Sequence, residues 1–139
     1  MPRVSIWLIR SSLLCLVLGF TVGGAMLASK GLASSAWLAQ GIPVHVELVV
    51  LGWMVQLAMG VALWILPRFG ARGPARGAAW GWAAWGLLNS GVTLVVVTAL
   101  GGGSPAALRL TGRLLELAAA VAFSGAVWTR VRASGISAM

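Results

Sequence analysis

The sequence predicts an all-α integral membrane bundle of four transmembrane helices, and three observations lead there. Sixty per cent of the residues are apolar and only 9% are charged, against roughly a quarter charged in a soluble domain. The apolar residues gather in four long runs, parted by short segments rich in Gly, Pro and Arg. The basic residues sit at the ends of those runs and form no stripe. With a mean hydropathy of +0.97, such a chain cannot cover itself for water, so its outer solvent is hydrocarbon. One crossing takes about 20 residues, so four crossings and their loops use nearly all 139 residues. The chain is therefore read as a single domain, 1–139, with no room for a soluble catalytic domain.

The first helix is predicted over residues 4–28. Arg10 interrupts it and can snorkel to the interface. The apolar core from Ser11 to Leu27 exceeds a secretory h-region and three more spans follow, so this helix is expected to remain uncleaved. Gly19 and Gly23 have the spacing that lets helices approach closely. After a short loop with Lys30, Gly31, Ser34 and Ser35, the second helix is predicted over 42–66. Pro43 would fall in its first turn, where a missing N–H does no harm, and Pro67 stops it. Arg68 to Arg76 form a basic loop rich in helix breakers. The third helix covers 77–100 and carries Trp80, Trp82 and Trp85 near its start. Gly101 to Pro105 make a tight turn, and the fourth helix covers 106–128, closed by Arg130 and Arg132.

Orientation follows from the positive-inside rule. Arg3, Arg10, Arg68, Arg72, Arg76, Arg130 and Arg132 fall on one face; Lys30, Arg109 and Arg113 fall toward the other. This imbalance places both termini in the cytoplasm and the chain in a cell inner membrane. Trp7, Trp64, Trp80 and Trp128 lie near that same face, where an aromatic belt is expected. The net charge of +8 is thus a topology signal, and nucleic acid is not an expected partner. A single cysteine, Cys15, allows no internal disulfide and no CxxC site. Bulky Leu14 before it does not fit a lipoprotein signal.

Chemistry is confined to few residues. The acidic residues are Glu47 and Glu116, the one histidine is His45, and all three fall inside predicted spans. An ionisable group there costs about 2.5–3.5 kcal/mol on insertion scales, so it needs a partner and a purpose. At about 100° per residue, His45, Gly52, Gln56 and Met59 share one stripe of the second helix, and Glu47 faces elsewhere. On the fourth, Arg109, Arg113, Glu116, Ala120 and Phe123 line up. Glu116 lies near the midplane, at the levels of Asn89 and Gln56. A structural reading pairs Glu47 with Arg109 or Arg113, and Arg113 with Glu116 at i,i+3. Together with Gln56 and Asn89 these groups would form an intramembrane polar network that holds the bundle. A cofactor reading makes His45 a heme or metal ligand, with Arg109 and Arg113 facing anionic groups such as propionates. No nucleophile–base pair, phosphate loop or second histidine accompanies them.

The second helix, from His45 through Gly52-Trp53 and Gly60 to Pro67-Arg68, resembles a helix of heme-copper oxidase subunit I. It is also similar to nitric oxide reductase large subunits and to small four-helix membrane proteins of that pattern. Leu87-Leu88-Asn89-Ser90-Gly91, Gly112-Arg113-Leu114-Leu115-Glu116, Phe123 and Trp128-Thr129-Arg130 resemble the small proteins as well. The likeness spans about 90 residues. It implies that His45 binds heme b iron or copper, that Arg109 and Arg113 hold propionates, and that the chain is associated with respiratory electron transfer. One departure is instructive: where relatives carry His-x-His, this chain has Glu47. With no second imidazole, the full oxidase reaction is excluded for this chain alone. A site would need Met26, Met54 or Met59, a second copy, or another subunit to complete it.

Three functions follow as alternatives. The first is a heme- or copper-binding redox protein, not an enzyme on its own. The second is a cofactor-free accessory or assembly subunit of a larger membrane complex, or a homo-oligomer. The third is a small proton-coupled transporter working through Glu47 or Glu116, where pairing with the adjacent arginines would blunt proton exchange.

Overall fold

The computed structural model describes residues 1–31, 36–66, 76–101 and 105–128. Within them the chain is all helical: α1 (Arg3–Gly31), α2 (Ala36–Val46), a π-helical segment (Glu47–Val55), α3 (Gln56–Ile65), α4 (Arg76–Leu100) and α5 (Ala106–Trp128). The α2, π and α3 pieces run on without a break. In hydrocarbon every backbone N–H and C=O must be paired within its own segment, which leaves the helix as the only open-ended solution. Four helices are long and apolar enough to cross a membrane: Arg3–Gly31, Gly41–Ile65, Ala78–Leu100 and Ala106–Trp128. The protein is a multi-pass membrane bundle of four helices.

Two boundaries differ from expectation. Helix α1 continues through Lys30 to Gly31 instead of ending at 28. The second helical run starts at Ala36, so Pro43 lies inside α2 and not in its first turn. The apolar residues before Pro43 extend the helix upstream, and Pro43 forfeits one backbone bond there. The third and fourth helices fall within a residue of prediction. Ser34, Ser35, most of the basic loop, part of the Gly101–Pro105 turn, Arg130 and Arg132 lie outside the described residues.

Helix α1 packs along the whole second span, and α5 packs mainly on α4, with α4 in contact with α2, the π segment and α1. Hydrocarbon gives helices no hydrophobic reason to associate, so close contact through small residues carries the packing. Between α4 and α5, a Cβ placed on Gly91 would lie 2.9 Å from the Gly112 carbonyl oxygen and 2.8 Å from Glu116 Cγ. Two backbones therefore meet at that level. Ala84, Leu88 and Val92 of α4 and Ala119, Ala122 and Ala126 of α5 are buried, as are Leu8 of α1 and Leu63 of α3. Large apolar side chains such as Leu14, Phe20, Leu117 and Val121 point outward, as a lipid-facing surface requires. Trp7, Trp64, Trp80 and Trp128 are also exposed. Trp85 stacks edge-on against both Trp7 and Trp82, with ring centroids 5.9 and 5.7 Å apart, and donates its indole N–H to Ser11 Oγ at 3.0 Å.

Candidate functional site

Both carboxylates of the protein meet one guanidinium. Arg113 Nη1 lies 2.7 Å from Glu47 Oε2 and 2.8 Å from Glu116 Oε2. Glu116 reaches Arg113 from one turn along α5, and Glu47 comes across from the start of the π segment. The carboxylates are buried, at 3% and 8% side-chain exposure, whereas the Arg113 side chain is 49% exposed. The long arginine stem thus lets charge lie at the surface while the acids stay inside. Two buried carboxyl groups thus share one guanidinium. Glu47 Oε1 and Glu116 Oε1 are buried without a hydrogen-bond partner. Such a cluster is expensive to break, because each carboxylate left alone would be a bare charge in a low dielectric.

The π segment explains how Glu47 arrives there. At α-helical pitch Glu47 and Gln56 point to opposite sides, yet both are buried, at 2% and 0% exposure. The wider π turn between them brings Glu47 onto the inward side with Gly52 and Gln56. Gln56 is enclosed with neither Oε1 nor Nε2 paired. It stands apart from the Arg113 cluster in hydrogen bonding. Asn89 is also separate and donates Nδ2–H to the Trp85 carbonyl at 2.8 Å. Arg109, predicted on the same stripe as Arg113, is exposed and has no ion pair among the described residues. Of the stripe, Glu116 is buried and Phe123 half-buried, while Ala120 faces outward.

His45 occupies a seat made by two glycines of α1. Its Nδ1 lies 2.7 Å from the Gly19 carbonyl, which can only accept, so Nδ1 carries the proton. The imidazole fills the space over Gly23, where an added Cβ would come within 2.8 Å of Cε1 and 2.9 Å of Nδ1. In the neutral ring Nε2 is then the free lone pair, and it has no hydrogen-bond partner among the described residues. Metal-ligating histidines are oriented in this way, by a backbone carbonyl on the other ring nitrogen. Among the described residues no three His, Cys, Asp or Glu side chains gather to hold a metal ion. His45 therefore fits as one ligand of a site and not as a whole one.

Of the pairings the sequence offered, the structure forms Arg113 with Glu116 and, between the two arginines open to Glu47, selects Arg113; the glycine seat of His45 was missed. The Gly19/Gly23 spacing was the only trace of that seat. No family model, no curated protein and no solved structure matches this chain.

Proposed function

We propose that the protein is a small subunit of a respiratory membrane assembly that offers a single imidazole ligand to heme b or copper. It resembles part of heme-copper oxidase subunit I and is not an enzyme on its own. The observation that carries this reading is the hydrogen bond from His45 Nδ1 to the Gly19 carbonyl, which fixes the tautomer and leaves Nε2 for a metal. Gly19 and Gly23 orient the ring, and Arg109, exposed and without an ion pair among the described residues, is available for an anionic edge of the group. Arg113 is already held by Glu47 and Glu116 and is set aside from that role. A second ligand comes from another copy or another subunit. When bound, the group would supply one-electron redox chemistry. The chain is placed in a cell inner membrane with both termini in the cytoplasm, on the excess of Arg at the N-terminus, second loop and C-terminus.

The test is a dithionite-reduced minus oxidised visible spectrum of protein purified in mild detergent after heme-replete expression, with metal analysis alongside. The expected result is a Soret and alpha band, or bound copper, lost in His45→Ala. No chromophore and no copper in the parent protein would remove the proposal. A second reading, a cofactor-free accessory subunit, is favoured by one observation: the Arg113 cluster closes on the protein's own acids, so that arginine acts as glue and not as a ligand clamp. It predicts no chromophore and a stable apo bundle.

A further inference from the structure

One lipid-facing feature belongs to none of the above. A groove of about 490 Å³ runs between α4 and α5, lined by Asn89, Ser90, Thr93, Leu94, Val97 and Leu115. Three of these six are polar, although they lie in the middle of a membrane-spanning helix. Ser90 and Thr93 are exposed, and neither hydroxyl has a hydrogen-bond partner among the described residues.

That is exceptional for this chain. The exposed hydroxyls of Thr21, Thr111 and Ser124 each donate to the carbonyl four residues back, and so do those of Ser11 and Ser29. Ser12 and Thr98 bond three residues back, and Ser5 crosses to Gly60. A hydroxyl in hydrocarbon satisfies itself on its own helix unless something outside supplies a partner. Among the hydroxyls of the described residues, only the two in the groove are left open, with Asn89 Oδ1 beside them; Asn89 uses Nδ2 on Trp85.

We infer that this groove is the contact through which two copies of the chain pair side by side in the membrane, Asn89, Ser90 and Thr93 of each bonding the same residues of the other. Donor–acceptor complementarity selects the occupant. A hydroxyl both donates and accepts, and the Asn89 oxygen accepts, so the set is complementary to itself under a two-fold axis along the membrane normal. Identical chains inserted the same way present these groups at one depth, so the registers coincide. Acyl chains can offer no hydrogen bond. Small Ser90 lets the two α4 helices approach closely.

The test uses the full chain in liposomes. In a Cys15→Ser background, Ser90→Cys and Thr93→Cys are oxidised with copper phenanthroline, with Leu117→Cys and Val121→Cys as lipid-facing controls, each parent residue being 62% exposed. The expected result is a disulfide-linked dimer at position 90 or 93 and none at 117 or 121. No cross-link at either groove position, or equal cross-linking at all four, overturns the inference. Energy transfer between labelled copies, followed as lipid is added, is the second measurement. Ser90→Ala with Thr93→Val weakens association about tenfold, at about threefold per hydrogen bond lost, while Ser124→Ala leaves it unchanged. Equal association of the double variant and the parent overturns it. So does a monomer whose groove cysteine resists a lipophilic maleimide only when a different polypeptide co-purifies.

Discussion

Arg113 sets the terms at the scale of single residues, because one of its nitrogens touches both acids of the chain. Removing one partner of a buried ionic group costs far more than replacing the whole group with apolar residues of similar volume. Arg113→Ala is therefore expected to destabilise the bundle by about 3–5 kcal/mol, read as a fall in thermal midpoint in detergent. The triple replacement Arg113→Met, Glu47→Leu and Glu116→Leu should recover most of that loss. A triple variant no more stable than Arg113→Ala would show that the charges do more than hold helices together. His45 is the other residue held by a specific contact: in the neutral ring, a carbonyl that can only accept settles which nitrogen is free. Gly23→Leu should therefore displace the ring and abolish whatever His45→Ala abolishes in the visible spectrum, while Gly24→Leu, facing open space, should not.

At the scale of elements the π segment and the α4–α5 seam decide the packing. Deleting Val50, which points outward, should let the π segment relax toward α-helical pitch. At α-helical pitch the eight remaining steps set Glu47 about 80° from Gln56 and detach it from Arg113. The expected loss of stability is comparable to that of Arg113→Ala, and the two changes should be strongly non-additive, since both act on one interaction. Full additivity would mean that the π turn serves something other than the Glu47 bridge. On the seam, Gly91→Ala places a methyl against a carbonyl oxygen and Glu116, which is expected to cost about 1–3 kcal/mol by overpacking. Gly86→Ala on the same helix meets nothing within 4 Å and should be neutral or slightly stabilising. A thermal unfolding series over the two glycines separates packing from helix propensity.

At the scale of the molecule, the four helices form two tight pairs, α1 with the second span and α4 with α5. The pairs are joined where α4 meets the first pair and where Arg113 reaches Glu47. The orientation proposed from charge is checked by cysteines placed at the termini of a Cys15→Ser chain. A membrane-impermeant maleimide should label them in inverted inner-membrane vesicles and not in intact cells. Replacing Arg68, Arg72 and Arg76 by Ser should give a mixture of both orientations, because the second loop supplies three of the seven retaining charges.

The four-helix membrane class and the approximate spans were legible in the chain, because hydropathy and span length depend only on local composition and bilayer thickness. The candidate residues were legible too, since ionisable groups in a span are few enough to name. Which of them meet was legible only in part: the Arg113–Glu116 pair followed from its i,i+3 spacing, and the partner of Glu47 was narrowed to two arginines. Glu47 was set apart from the Gln56 stripe by a constant 100° per residue, which holds only for α-helical turns, and nothing in the apolar run around Val50 announces a π segment. Gln56 and Asn89, at matching depths, were joined to the network by level alone, whereas their hydrogen bonds or lack of them depend on azimuth. The choice of Arg113 over Arg109 as the shared guanidinium likewise needed the relative position of two helices. Sequence by itself determined that this protein lives in a membrane and where its polar groups lie in depth. Tertiary structure alone decided their rotation, and rotation is what makes two acids share one arginine and one imidazole rest on two glycines.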